Sequence, residues 1–363
     1  MVGAPSRFAP APKGRRPPWD GPAAVTTATL RATALSYAAP RTTPLRSGGA
    51  AGFNGSILQL AHSAAMNPIS FPTPAVAAKT VRMSIDCELQ YELDAACEFV
   101  FLIHAAQGMG QYVVDESLLL EPATAYRSFV EPGVANRFLR LHAAPGSLRL
   151  RYQATVDRVI DAPDANAIEV PVFDLPDHTL PYLLPTRYCE SDHLANAAIK
   201  MFGALAPGYA RVQAVSDWVR NNVDYRIGST NATTTAREVF VQRTGVCRDF
   251  AHLAVTLCRA LNIPARLVCG YAKFDEPPPD FHAVFEAWLG GRWVLFDPTG
   301  MAPLHHLVRV ATGRDAKDVA FATIFGPARM VSMRPDIEPV LATPVDDAAW
   351  PVERASERIA VTA

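Results

Sequence analysis

The chain contains no Cys-x-x-Cys pair, so a thiolate zinc site of the usual spacing is poorly supported. It has no apolar run near the roughly 20 residues that a helix needs to cross a bilayer. Net charge is almost absent, since 34 Lys and Arg offset 35 Asp and Glu to leave −1. No global field therefore directs the chain to nucleic acid or to an anionic membrane. Internal repeats are missing, which sets aside solenoids and propellers. Acids are nearly missing from residues 1–65, where Asp20 stands alone against Arg7, Lys13, Arg15, Arg16, Arg31, Arg41 and Arg46.

What is present begins with size. A chain of 363 residues can bury a core without disulfide staples. Cys87, Cys97, Cys189, Cys247, Cys258 and Cys269 are accordingly read as reduced thiols, and the protein as cytoplasmic. Residues 1–65 are rich in Pro, Ala, Thr and Ser and lack a compact apolar stretch before a cleavage site, so a secretory signal is not expected. The segment reads as a disordered tail reaching about residue 80, or as a start assigned too early, with Met66 or Met83 as the true one.

Order is expected from Val81. Val81, Met83, Ile85, Cys87, Leu89, Tyr91 and Leu93 alternate with polar residues, the period of a strand with one buried face. Strand-like runs follow at Glu98–His104, Tyr112–Leu120, Arg137–His142 and Leu148–Val156, the last two flanking a hairpin-like link at residues 143–147. These runs predict an antiparallel β-sandwich over residues 81–160. Residues 161–190 read as a connector. Leu194, Ala197, Ala198 and Met201 then share one helix face, and Val212, Val215, Trp218, Val219 and Val223 another. Thr235 and Glu238 have capping-box spacing ahead of a short helix. The chain after about Pro335 is weakly patterned and reads as a tail over residues 335–363.

Chemistry concentrates at Thr244-Gly245-Val246-Cys247-Arg248-Asp249-Phe250. An amphipathic helix follows, with Phe250, Leu253, Ala254, Leu257, Cys258 and Leu261 on its buried face and Asn262-Ile263-Pro264 as its stop. Cys247 would sit at the helix N-terminus, where free N–H groups and the positive dipole end favour a thiolate and can cradle an oxyanion. Further on, residues 281–289 and 292–297 read as strands joined at Gly290-Gly291. If those glycines are the two loop residues, Leu289 pairs with Arg292 and Trp288 with Trp293. His282 and Asp297 then become diagonal neighbours on one face, within reach of a hydrogen bond. A one-residue slip would place them on opposite faces. A helix-tip thiol, an imidazole and an orienting carboxylate together suit acyl transfer through a thioester.

For the other polar residues the blander readings prevail. Cys258 and Cys269 are assigned to core packing. His252 is read as a helix-surface histidine, His305 and His306 as surface, Glu286 as solvated. Arg248 and Asp249 are expected to brace the helix start, and Trp288 and Trp293 to form a cross-strand pair.

The run Gly245-Val246-Cys247-Arg248-Asp249-Phe250-Ala251-His252, then Gly270-Tyr271, His282-Ala283 and Phe296-Asp297-Pro298-Thr299, resembles the core of the transglutaminase-like superfamily. The likeness covers residues 209–300; the strands over residues 81–160 resemble the β-rich domain that precedes this core in bacterial relatives. Many relatives have Trp where Val284 stands. The resemblance implies an α+β protein: an N-terminal antiparallel β-sandwich followed by a papain-like core over residues 191–334, whose Cys247 helix packs on a sheet carrying His282 and Asp297. It implies a thiol enzyme that cleaves peptide, isopeptide or amide bonds, with a protein or peptide substrate. The alternatives are transamidation of glutamine onto an amine, and a non-catalytic binding module on the same fold. No metal or organic cofactor, nucleic acid or membrane partner is expected, and no acidic loop suggests calcium binding. The oligomeric state is left open.

Overall fold

The alternation beginning at Val81 builds strand β1, Thr80–Leu93. Its seven alternating apolar side chains are all buried, from Val81 to Leu93. The computed structural model describes residues 80–160, 162–274 and 280–341. The tail expected at the N-terminus therefore lies outside the described residues, up to residue 79.

Five strands follow: β2 (Cys97–Phe101), β3 (Gln111–Glu121), β4 (Tyr126–Val130), β5 (Arg137–Ala143) and β6 (Gly146–Val159). Four of them stand where the sequence shows strand-like runs. β4 is the addition. It is the edge of its sheet and all five of its residues are exposed, so it has no buried face to impose a period of two. The link at residues 143–147 is not a hairpin. β5 pairs with β2 and β4, whereas β6 pairs with β1 and β3, so the chain crosses there from one sheet to the other. The inner faces meet through aromatic contacts such as Tyr91 with Phe99, ring centres 5.2 Å apart.

The helical part holds α1 (Ser191–Phe202), α2 (Tyr209–Asn222), β7 (Asp224–Tyr225), α3 (Ala236–Gln242), β8 (Thr244–Gly245) and α4 (Cys247–Ala260). Both halves of the capping box on α3 are present: Glu238 N–H donates to Thr235 Oγ1, and Thr235 N–H to Glu238 Oε2. A four-stranded sheet follows, made of β9 (Ala265–Tyr271), β10 (His282–Leu289), β11 (Arg292–Phe296) and β12 (Val308–Gly313), in the order β11-β10-β9-β12. α4 packs on this sheet, as expected for a papain-like core. It is more enclosed than an amphipathic surface helix, because every residue from Asp249 to Arg259 is buried. Its polar stripe is satisfied inside. Thr256 Oγ1 donates to the His252 carbonyl at 2.7 Å, and Arg259 donates to the carbonyls of Ala265, Leu184 and Arg314.

The C-terminal end corrects the expected organisation. Residues 335–341 are not tail but the second half of β14 (Ala328–Leu341), which pairs antiparallel with β1 over its length; Ile337, for example, lies opposite Ile85. β13 (Ala322–Phe325) pairs with β2. The sandwich is thus closed by strands from both ends of the chain. β14 contains Pro335 and Pro339, which argue against a central strand, but it is an edge strand and tolerates them there. Residues 342–363 lie outside the described residues.

The described residues fall in one compact unit. A single apolar cluster runs from Tyr91, Phe99 and Tyr152 in the sandwich to Cys269, Tyr271, Phe281 and Val308 around the second sheet. Polar links reinforce it. Tyr271 donates to the Ile103 carbonyl at 2.6 Å, and the Gln111 amide clamps β12 by donating to Arg309 O and accepting from Arg309 N. A second cluster joins α1, α2 and α4 to β10 and β11 through Val215, Leu253, Phe285 and Phe296.

Candidate active site

Cys247 is placed by the device that starts α4. Asp249 is only 1% exposed, and its Oδ2 accepts from Val246 N–H at 3.0 Å and from Thr230 Oγ1 at 2.5 Å. Arg248 Nε and Nη2 donate to the other oxygen. This is the bracing expected of the two residues. It also explains Gly245: a Cβ there would stand 2.7 Å from Asp249 Cβ. The result is a thiol in the first turn, where backbone N–H groups have no intrahelical acceptor. Cys247 is half-buried, while the other five cysteines are buried.

The β10–β11 hairpin supplies the other two groups. Gly290 and Gly291 have φ of 57° and 80°, the pair of positive values that a two-residue turn demands. Leu289 pairs with Arg292, Trp288 with Trp293 and Phe285 with Phe296, the register worked out from the turn. The two tryptophans pack edge to face at 5.3 Å. In this register His282 Nε2 and Asp297 Oδ2 meet at 3.0 Å, His282 fully buried and Asp297 5% exposed. The second oxygen of Asp297 is occupied by Thr299, whose N–H and Oγ1 donate at 2.8 and 2.7 Å. Arg220 of α2 donates to the Asp297 carbonyl at 2.8 Å. The carboxylate therefore has one free edge, and it faces the imidazole.

Three groups distant in sequence are thus brought together. Burial opposes a charge on His282. The charge and hydrogen bond of Asp297, with a contribution from the Cys247 thiol, overcome it and raise the imidazole pKa from 6.5 to about 10. Burial likewise resists ionisation of Asp297, but His282 and the two Thr299 donors hold its pKa below the usual value. With Nε2 bonded to Asp297, Nδ1 is the ring nitrogen left for the thiol, and it is buried without a hydrogen-bond partner among the described residues. Cys247 Sγ also lies 4.0 Å from the Phe281 carbonyl. Tyr225 of β7 stands against the same thiol, and burial followed by the thiol's charge raises its phenol pKa.

Arg220 and Tyr225 were not singled out in the sequence, and Thr299 stood there only as the end of the Phe296-Asp297-Pro298-Thr299 run, with no role given to it. The Asp-Pro-Thr order carries a local signal for Thr299, since Asp side chains bond the backbone two residues on. Arg220 and Tyr225 are set by tertiary packing and leave no such trace.

Three expectations are corrected. Glu286 is not solvated: it is 1% exposed and lies between Arg266 at 2.7 Å and Arg309 at 2.7 Å. His252 is buried within the fold, stacked on Tyr188 at 5.1 Å and accepting from Ala316 N–H at 3.0 Å. Burial, with Arg248 nearby, lowers its pKa to about 3, so it is neutral. His305 is buried as well. Among the described residues no three of His, Cys, Asp or Glu converge as a metal-binding set. A cavity of about 490 Å³ lies elsewhere, between Leu102, Asn136, Tyr182 and Thr312, and none of the three site groups lines it.

Residues 195–298 match the transglutaminase-like superfamily, and residues 81–178 match the bacterial transglutaminase N-terminal domain. A candidate cysteine protease from Cytophaga hutchinsonii, known from its crystal structure, is 41% identical, with a TM-score of 0.69 over 73% of this chain and 92% of that one.

The chain belongs to the transglutaminase-like superfamily.

Two uncharacterized mycobacterial proteins are also similar to this transglutaminase-like chain. The one from Mycobacterium leprae (strain TN) is 33% identical over 149 residues, 38% of this chain and 52% of that protein. The one from Mycobacterium tuberculosis (strain ATCC 25618 / H37Rv) is 38% identical over 110 residues, 26% of this chain and 35% of that protein. The chain thus spans about half or less of the length of these curated relatives. No helix among the described residues is long and apolar enough to cross a membrane.

Proposed function

We propose that this protein is a thiol acyl-transfer enzyme that cleaves peptide, isopeptide or other amide bonds, with Cys247 as nucleophile, His282 as proton carrier and Asp297 as orienter. The observation that carries this reading is the 3.0 Å bond between His282 Nε2 and Asp297, which leaves Nδ1 to the thiol at the tip of α4. The thiolate attacks the acyl carbon, and first-turn N–H groups receive the developing oxyanion. Imidazolium delivers its proton to the leaving amine as the C–N bond breaks, giving a thioester. A water molecule then yields a proton to His282, attacks the thioester carbon and expels the Cys247 thiolate, releasing a carboxylic acid and restoring the thiolate and imidazolium.

Hydrolysis is favoured over transamidation by the likeness to a candidate cysteine protease. The two differ in what resolves the thioester. Incubation with a glutamine-containing peptide and a labelled amine separates them: release of ammonia or peptide without label supports hydrolysis, and label on the peptide supports transamidation. Absence of both, with Cys247 no more reactive to iodoacetamide than a thiol in the unfolded chain, would favour a binding module. We also propose a cytoplasmic location, supported by six free thiols, and a protein or peptide substrate.

A further inference from the structure

One acid beside the site has no part in the steps above. Asp280 lies two residues before His282 and adjoins Phe281, whose carbonyl faces Cys247 Sγ at 4.0 Å. It is half-buried. Among the described residues it accepts a hydrogen bond from Phe281 N–H alone, at 2.6 Å. No Lys or Arg among the described residues pairs with it. Its charge is felt by Tyr225 of β7, Cys269 of β9 and His282 of β10. Burial raises its pKa to about 6, with the Phe281 N–H and His282 opposing the rise, so the group is ionised above neutrality.

An anion here works against the chemistry assigned to Cys247, because it disfavours a thiolate. His282 already has Asp297 as its counter-ion, so a second carboxylate adds nothing the imidazolium lacks. Among the described residues, the groups facing Asp280 offer it no cation beyond that shared ring. A carboxylate beside the site with no cation of its own among the described residues fits a partner that arrives with the substrate.

We propose that Asp280 is a specificity residue that receives an ammonium group of the substrate, so that amine-bearing acyl donors or acceptors are preferred over neutral and acidic ones. This rests on Cys247 being the nucleophile. Substrate charge is thus read within reach of the reacting sulfur, before the thioester forms or as it is resolved.

The test uses the full chain and charged thiol reagents. Aminoethyl methanethiosulfonate (cationic), sulfonatoethyl methanethiosulfonate (anionic) and methyl methanethiosulfonate (neutral) each form a mixed disulfide and expel methanesulfinate. Their rates at Cys247 are read by mass spectrometry in the wild type and in Asp280→Asn, with Asp280→Ser as a second variant should the first not fold. At low salt and neutral pH, the cationic-to-anionic rate ratio is expected to fall by about tenfold or more on substitution. A ratio that stays within about twofold overturns the proposal. Labelling needs no turnover, so this failure is distinct from failure of the enzyme reading, which would show as an unreactive Cys247 with the neutral reagent. The source of the ammonium is then assigned with acyl probes. Slower acylation of Asp280→Asn by glycine para-nitrophenyl ester, but not by para-nitrophenyl acetate, places it on the donor. A lost acceleration of deacylation by cadaverine places it on the acceptor. Loss in neither arm also overturns the proposal.

Discussion

Replacing Asp297 with Asn tests the imidazole's partner without changing the shape of the site. The carboxylate oxygen that meets His282 Nε2 at 3.0 Å belongs to a buried side chain, and its charge and hydrogen bond hold a proton on a ring that burial alone would discharge. The rise from 6.5 to about 10, at 1.36 kcal/mol per pKa unit, represents on the order of 4–5 kcal/mol in favour of the imidazolium. Asn removes that preference and can present an N–H to the nitrogen that formerly donated. The imidazolium population should therefore fall at neutral pH, and with it the proton supply to the leaving group. The expected loss in kcat/KM is roughly 10²- to 10⁴-fold. The pH profile gives the sharper reading. In the wild type the alkaline limb should lie near 10, where the imidazolium is lost; in the variant it should move toward or below 6.5. Stability follows the same sign. A raised folded pKa contributes stability that is complete below 6.5 and disappears as pH rises through about 10, so this alkaline loss should be absent from the variant. Acylation by an activated ester across this range, with urea unfolding in parallel, measures both. A variant within about threefold of wild-type kcat/KM, with its alkaline limb unmoved, would refute the reasoning.

Other substitutions probe the frame around the site. Glu286→Ala leaves Arg266 and Arg309 buried beside each other without their carboxylate, and is expected to cost about 3–5 kcal/mol in urea unfolding. Gly245→Ala pushes a methyl group to 2.7 Å from Asp249 Cβ; a loss of about 1–3 kcal/mol is expected, with slower alkylation of Cys247 because the helix start must shift. Deleting residues 328–363 removes β14 and uncovers the ladder of β1 along its length. The shortened chain should aggregate on size-exclusion chromatography and unfold at lower urea, and a monomer of unchanged midpoint would contradict the role given to β14.

Much of the site was legible because its signals are local. The two-glycine turn sets the register of β10 on β11, and that register alone brings His282 to Asp297. Gly245 and Asp249 mark the start of α4 within five residues. What escaped was set by partners far along the chain. Glu286 is an ordinary polar strand residue until Arg309, 23 positions later, closes over it. His252 takes its partner from Ala316, 64 positions away, and Asp297 its backbone brace from Arg220, 77 positions earlier. The last strand was hidden by composition. β14 carries two prolines, which break a strand pattern in sequence but are tolerated at a sheet edge, and its inward side mixes the buried Pro335 and Ile337 with the partly buried Met330 and Met333.

The nucleophile itself is tested most directly by trapping the acyl group. The protein is mixed briefly with para-nitrophenyl acetate, quenched in acid and digested, and the acetylated residue is identified by mass spectrometry. One acetyl thioester on Cys247 is expected in the wild type and none in Cys247→Ala, whose melting temperature should stay within about 3 °C because a half-buried thiol is a small loss. An acetyl group carried by another residue, or undiminished turnover in Cys247→Ala, would contradict it.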